Sequence, residues 1–82
     1  MIEIRYEKEQ NCASAVEDGK QIGICQYDVS PGKWVIFHTF TDPEYGGQGI
    51  ARKMVECVAE QAVLAGVELG ATCWYAKKVL HI

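Results

Sequence analysis

The sequence predicts a mixed α/β domain: four strands, a helix, a fifth strand and a short terminal helix. Three observations predict it. Short β-like runs fill the N-terminal half, separated by turn residues. From Gly49 to Ala65 apolar residues recur at helical spacing. A further β-like run, Val67 to Thr72, follows that helix. A helix that crosses between two strands of one sheet requires them to run parallel, with a right-handed connection. The expected sheet is therefore mostly antiparallel, of about five strands with one parallel pair.

Each element has a local reason. Ile2 to Tyr6 alternates apolar and charged residues and reads as the first strand. Cys12 to Val16 reads as the second, with small residues facing in. Asp18-Gly19 is a two-residue hairpin signal, joining that strand to Gln21–Tyr27. Ser30-Pro31-Gly32-Lys33 places Pro and Gly in favourable turn positions. The run from Trp34 to Thr41 is apolar on both faces and is expected to be a central strand. Regular alternation there puts His38 on one face with Trp34, Ile36 and Phe40. Ile50, Met54, Cys57, Val58, Ala62 and Ala65 form the apolar stripe of the long helix, and Gly66 stops it. Trp74 to Leu80 reads as the short terminal helix.

Composition narrows the class of function. Residues 1–82 suit one small domain, with an apolar fraction of 49%. The net charge of −3 argues against a nucleic-acid surface, which needs a basic stripe. The apolar runs are too short to cross a membrane. The N-terminal residues lack a signal-peptide core. Cys12, Cys25, Cys57 and Cys73 form no Cys-x-x-Cys pair, and His38 and His81 lie far apart, so no metal site is expected. Reduced thiols in a cytoplasmic protein are the reading that follows.

The segment Asp42-Pro43-Glu44-Tyr45-Gly46-Gly47-Gln48-Gly49-Ile50-Ala51-Arg52 carries the chemistry. A glycine-rich turn between a strand and a helix exposes backbone N–H groups at the positive end of the helix dipole, which suits a phosphate. A tight surface turn using glycine for positive φ is the plainer explanation of the same glycines.

The stretch Pro43 to Ala51 resembles the acetyl-CoA pyrophosphate motif of the GCN5-related N-acetyltransferases. Gly49 and Ala51 match its last two constrained positions. Gly46 stands where the family usually has Arg or Gln, which removes one side-chain contact. With His38-Thr39 before the motif, and Cys73, an aromatic pair and Ala76 after it, the chain resembles a subfamily of very small members. These lack the N-terminal helices that usually shape the acceptor pocket.

The resemblance implies the acetyltransferase fold, with its parallel pair splayed around acetyl-CoA or CoA. It also implies that the pantetheine arm pairs with the backbone of Thr39, Phe40 and Thr41. The turn residues Gly46, Gly47, Gln48, Gly49, Ile50, Ala51 and Arg52 would hold the phosphates, with Tyr75 packing against the cofactor. The implied activity is acetyl transfer to an amine.

Such transfer needs a neutral nucleophile, a route for its proton and a polarised thioester carbonyl. Cys73, just before the terminal helix, is a candidate thiolate that accepts the acetyl group first; a small buried hydrophobe is its bland role. His38 is a candidate base or a partner positioning Cys73; otherwise it is a half-buried histidine. Tyr45 and Tyr75 suit packing more than proton donation. Arg52, Lys77 and Lys78 either screen phosphates or are solvated charges. Two other readings stand beside the enzyme: a non-catalytic CoA-binding or sensing module, and a protein-interaction domain whose turn holds nothing. The expected partner is a small-molecule CoA thioester, with a monomer or homodimer both compatible with this size.

Overall fold

The computed structural model describes residues 1–82. Its strands are β1 (Ile2–Glu7), β2 (Cys12–Glu17), β3 (Lys20–Ser30), β4 (Lys33–Thr41) and β5 (Glu68–Ala71). The helices are α1 (Ile50–Ala65) and α2 (Trp74–Leu80), with single 3-10 turns at Lys8–Gln10 and Pro43–Tyr45. The five strands form one sheet in the order β1-β2-β3-β4-β5. All pairs are antiparallel except β4–β5. The predicted mixed α/β class, and its one parallel pair across a helical crossover, are what the chain adopts.

Turn chemistry sets the hairpins. Asp18 and Gly19 both have positive φ, 48° and 80°, so the β2–β3 turn twists with its strands. Gly32 at φ 74°, just after Pro31, supplies the left-handed residue of the β3–β4 turn. These hairpins run past the predicted ends: β3 extends to Ser30, where the sequence pattern stops at Tyr27.

α1 packs on one face of the sheet. Its buried residues are Ile50, Met54, Val55, Val58 and Ala62. Each large one contributes about 1.5–3 kcal/mol by leaving water, enough to hold a helix that isolated peptides of this length barely form. The predicted stripe is rotated slightly: Val55 is buried, whereas Ala65 is exposed. Beneath the helix the sheet presents small residues, Ala13, Ala15 and Gly23. A Cβ at Gly23 would lie 2.9 Å from Met54 Cε and 3.0 Å from the Phe40 carbonyl oxygen, so glycine here permits the close approach of helix to sheet. Ala76 of α2 joins the same core.

β4 departs from the expected regular central strand in two ways. Its outer partner β5 covers only Lys33–Ile36. In addition, the β3–β4 register shifts between Gln26 and Tyr27: Tyr27 faces Ile36, but Gln26 faces His38. The extra β4 residue is a β-bulge, and it reverses which side chains face the core. Trp34 and Ile36 point inward before it; Thr39 and Thr41, opposite the core residues Cys25 and Gly23, point inward after it. His38 and Phe40 are exposed, so His38 does not share a face with Trp34 and Ile36.

Candidate functional site

The site forms where β4 and β5 part. The N–H groups of Thr72 and Cys73 both donate to the Ile36 carbonyl, at 2.9 and 3.3 Å, and end the pairing there. From Phe37 to Thr41 the β4 edge facing away from β3 has no strand partner. Backbone groups left open at a strand edge satisfy an amide-bearing chain laid beside them.

At the end of that edge, Asp42 turns the chain. Its carboxylate accepts from the Glu44 N–H at 3.0 Å, and Pro43 begins the 3-10 turn. The Gly46 N–H is consumed by that turn, donating to the Pro43 carbonyl at 3.1 Å. Gly46 therefore offers no amide to a ligand, and its φ of −63° and ψ of 152° are open to any residue. Gly47 and Gly49, at φ 79° and 72°, do require glycine, and a Cβ on either would project into open space. The first turn bond of α1 runs from the Lys53 N–H to the Gly49 carbonyl. The N–H groups from Gly47 to Arg52 thus meet no acceptor in the chain. Arg52 turns its guanidinium to Glu56 at 3.3 Å.

These amides border a cleft of about 280 Å³ lined by Thr41, Tyr45, Gly46, Gly47, Gly49, Ile50, Ala51 and Tyr75. Thr41 Oγ1 is buried there without a hydrogen-bond partner. An orphaned buried hydroxyl costs about 1–3 kcal/mol, and a ligand group that meets it removes that cost. Sequence reasoning placed only the Thr41 backbone in the site; its hydroxyl becomes visible only once the bulge turns the side chain inward.

The bulge also creates the surroundings of Cys73. Thr39 Oγ1 lies 3.6 Å from Cys73 Sγ and 3.8 Å from the fully buried Cys25 Sγ. Cys73 precedes the first residue of α2. Partial burial by itself would raise its thiol pKa. Backbone N–H groups of Ala76, Tyr75 and Thr39, together with the Thr39 hydroxyl, outweigh that and hold it below its ordinary value. Cys25 shows the opposite: burial pushes it up to about 11. The structure brings Thr39, Thr41, Gly47, Gly49, Ile50, Ala51, Tyr75 and Cys73 around one split in the sheet. It forms no hydrogen bond between His38 and Cys73. Gln48 and Phe40 are exposed at the margin.

A sheet split beside a helix N-terminus with open amides defines the acetyltransferase-like class of α/β fold. Residues 5–81 match the family model described as GCN5-related N-acetyl-transferase, and the chain belongs to that family. Among solved structures, it resembles a GCN5-related N-acetyltransferase from Sphaerobacter thermophilus, at 25% identity and a TM-score of 0.70. The match covers 76% of this chain and 21% of that one. A GCN5-like protein from Staphylococcus aureus is 27% identical with a TM-score of 0.73, over 96% of this chain and 78% of the other. PaiA N-acetyltransferase from Thermoplasma acidophilum, solved in complex with coenzyme A, shares the fold at 18% identity and a TM-score of 0.64, over 68% of this chain and 35% of that one. No curated protein sequence matches the chain.

Proposed function

We propose that this chain binds acetyl-CoA in the cleft between β4, the glycine turn and α2, and transfers the acetyl group to an amine. The observation that carries this reading is the set of unengaged N–H groups from Gly47 to Arg52, bordering a cleft with an orphaned Thr41 hydroxyl. A diphosphate suits such donors at the start of a helix. The open β4 edge at Thr39–Thr41 suits the amides of a pantetheine arm, and Tyr75 offers it an apolar wall. Family membership and the coenzyme A complex of the Thermoplasma relative support the same ligand.

Acetyl-CoA supplies an activated thioester; the protein supplies the nucleophile and the proton path. Cys73 is the proposed nucleophile. Its thiolate would attack the thioester carbonyl, forming a C–S bond to Cys73 as the C–S bond to CoA breaks, and CoA would leave as its thiolate. An amine then displaces Cys73 and gives up a proton in turn. His38, exposed beside the open edge, is the proposed base for that amine. Direct transfer from the thioester to the amine is the competing route.

Calorimetric titration with acetyl-CoA, then thiol release with a panel of amines, tests the assignment. Binding together with amine-dependent release supports transfer. Mass spectrometry of wild type and Cys73→Ala separates the routes: an acetyl adduct lost in the variant supports the cysteine path, and unchanged turnover of the variant supports direct transfer. Binding without release over a broad panel supports the sensing module. One feature favours that second reading: β1 and β2 are joined by only a single 3-10 turn, so no helix is present there to shape an acceptor pocket.

A further inference from the structure

A second cleft, of about 210 Å³, lies at the other end of α1 and is lined by Tyr6, Lys8, Trp34, Gln61, Leu64 and Ala65. Its α1 residues, Gln61 to Ala65, lie roughly 16–22 Å along the helix from the glycine turn. Its polar wall has an unusual origin. Tyr27 is almost fully buried, its ring stacked on Trp34 with centroids 4.5 Å apart. The Tyr27 hydroxyl meets the Tyr6 hydroxyl at 2.8 Å, across the small side of β2 at Ala13. Tyr6 is the hydrogen-bond partner of this buried hydroxyl, so the Tyr27 proton is satisfied when Tyr27 donates to Tyr6. In a pair of hydroxyls only one proton lies between the oxygens, so the Tyr6 proton is then directed away from Tyr27, where Tyr6 borders the cleft.

Lys8 reaches the same cleft and forms no ion pair within the chain. Gln61 adds an amide. The side chains that carry one ammonium, one phenol and one amide thus line the same space, whose other walls, Trp34, Leu64 and Ala65, are apolar. Leu64 is 73% exposed, leaving its apolar surface available at the rim. No carboxylate lines the cleft. A single positive charge fits a monoanion better than a phosphate dianion, and the apolar walls call for a hydrophobic body.

We propose that this cleft binds a small organic monocarboxylate with an apolar or aromatic body. Its carboxylate lies between Lys8 and the Tyr6 hydroxyl, and its body lies on Trp34 and Leu64. The site does not depend on CoA binding at the opposite end of α1.

The test is a titration of the isotopically labelled chain with phenylacetate, followed by amide and indole NMR shifts. The expected result is saturable shifts at Tyr6, Lys8, Gln61, Leu64, Ala65 and the Trp34 indole, with an affinity in the millimolar range or tighter, about 1 mM. Lys8→Gln, a surface change that leaves the core intact, should weaken binding by about fivefold or more, and neutral phenylacetamide should bind about tenfold more weakly. Tyr6→Phe should weaken it too, but strands the buried Tyr27 hydroxyl, so Lys8→Gln is the primary variant. No shifts at about 10 mM, shifts centred elsewhere, or equal binding of phenylacetamide would overturn the proposal.

Discussion

Thr39 carries a single hydroxyl proton between two sulfurs. While Cys73 is a thiol, its S–H can donate to Thr39, and Thr39 can donate to Cys25. When Cys73 ionises, the Thr39 proton can turn to the new thiolate and stabilise it. Thr39→Val keeps the shape and removes that proton. The alkylation rate of Cys73 by iodoacetamide, measured against pH, should then show its midpoint at higher pH and a slower rate at neutrality. An unmoved midpoint would mean that the backbone amides of Ala76, Tyr75 and Thr39 hold the thiol without the hydroxyl. Thr41→Val gives two changes of opposite sign. It removes an unsatisfied buried hydroxyl and should stabilise the ligand-free chain by about 1 kcal/mol in urea unfolding. The same substitution should weaken acetyl-CoA binding in calorimetry if that hydroxyl meets the cofactor.

The glycine turn and the β4 bulge act as elements. The turn leaves its amides open because Gly47 and Gly49 sit at positive φ, ahead of the first α1 hydrogen bond. Gly49→Val should cost about 1–2 kcal/mol in backbone strain, seen in thermal unfolding. Its Cβ would point into open space, so the larger effect is expected on acetyl-CoA affinity. Equal affinity in the folded variant would place the ligand elsewhere. The bulge does what no regular strand can: it carries Ile36 and Thr39 on the core face of one strand, three residues apart rather than two or four. The thiol contacts of Thr39 follow from that shift.

Across the whole molecule, both helices pack into one core on one face of the sheet, and no helix is long and apolar enough to cross a membrane. The buried thiol of Cys25 makes the fold sensitive to alkali. Its pKa is raised from 9.0 to about 11, mainly by burial, so the folded chain holds that proton more tightly than the unfolded one. Its contribution is fully present below about pH 9 and is lost as pH rises toward about 11, a fall of about 3 kcal/mol. Burial raises Cys12, Cys57 and Tyr27 as well, with the same sign. Urea midpoints followed from pH 7 upward should decline over that window, and Cys25→Ala should flatten the decline even though its cavity lowers stability at every pH.

The sequence by itself determined the order and type of the elements. Asp18-Gly19, Pro31-Gly32 and Gly66 act through their own backbone preferences, and the α1 stripe through its own periodicity. The glycine turn was legible for the same reason, since open amides at a helix start are a local property. Only the tertiary structure decided which way β4 faces after Ile36. A bulge is set by the competition between strand pairing and the packing of α1 and α2 against it, which no alternation of residues records. That choice brought Thr39 to Cys25 and Cys73, turned Thr41 into the core and left His38 exposed. The Tyr6–Tyr27 bridge was equally hidden, because it joins side chains 21 residues apart through an intervening strand.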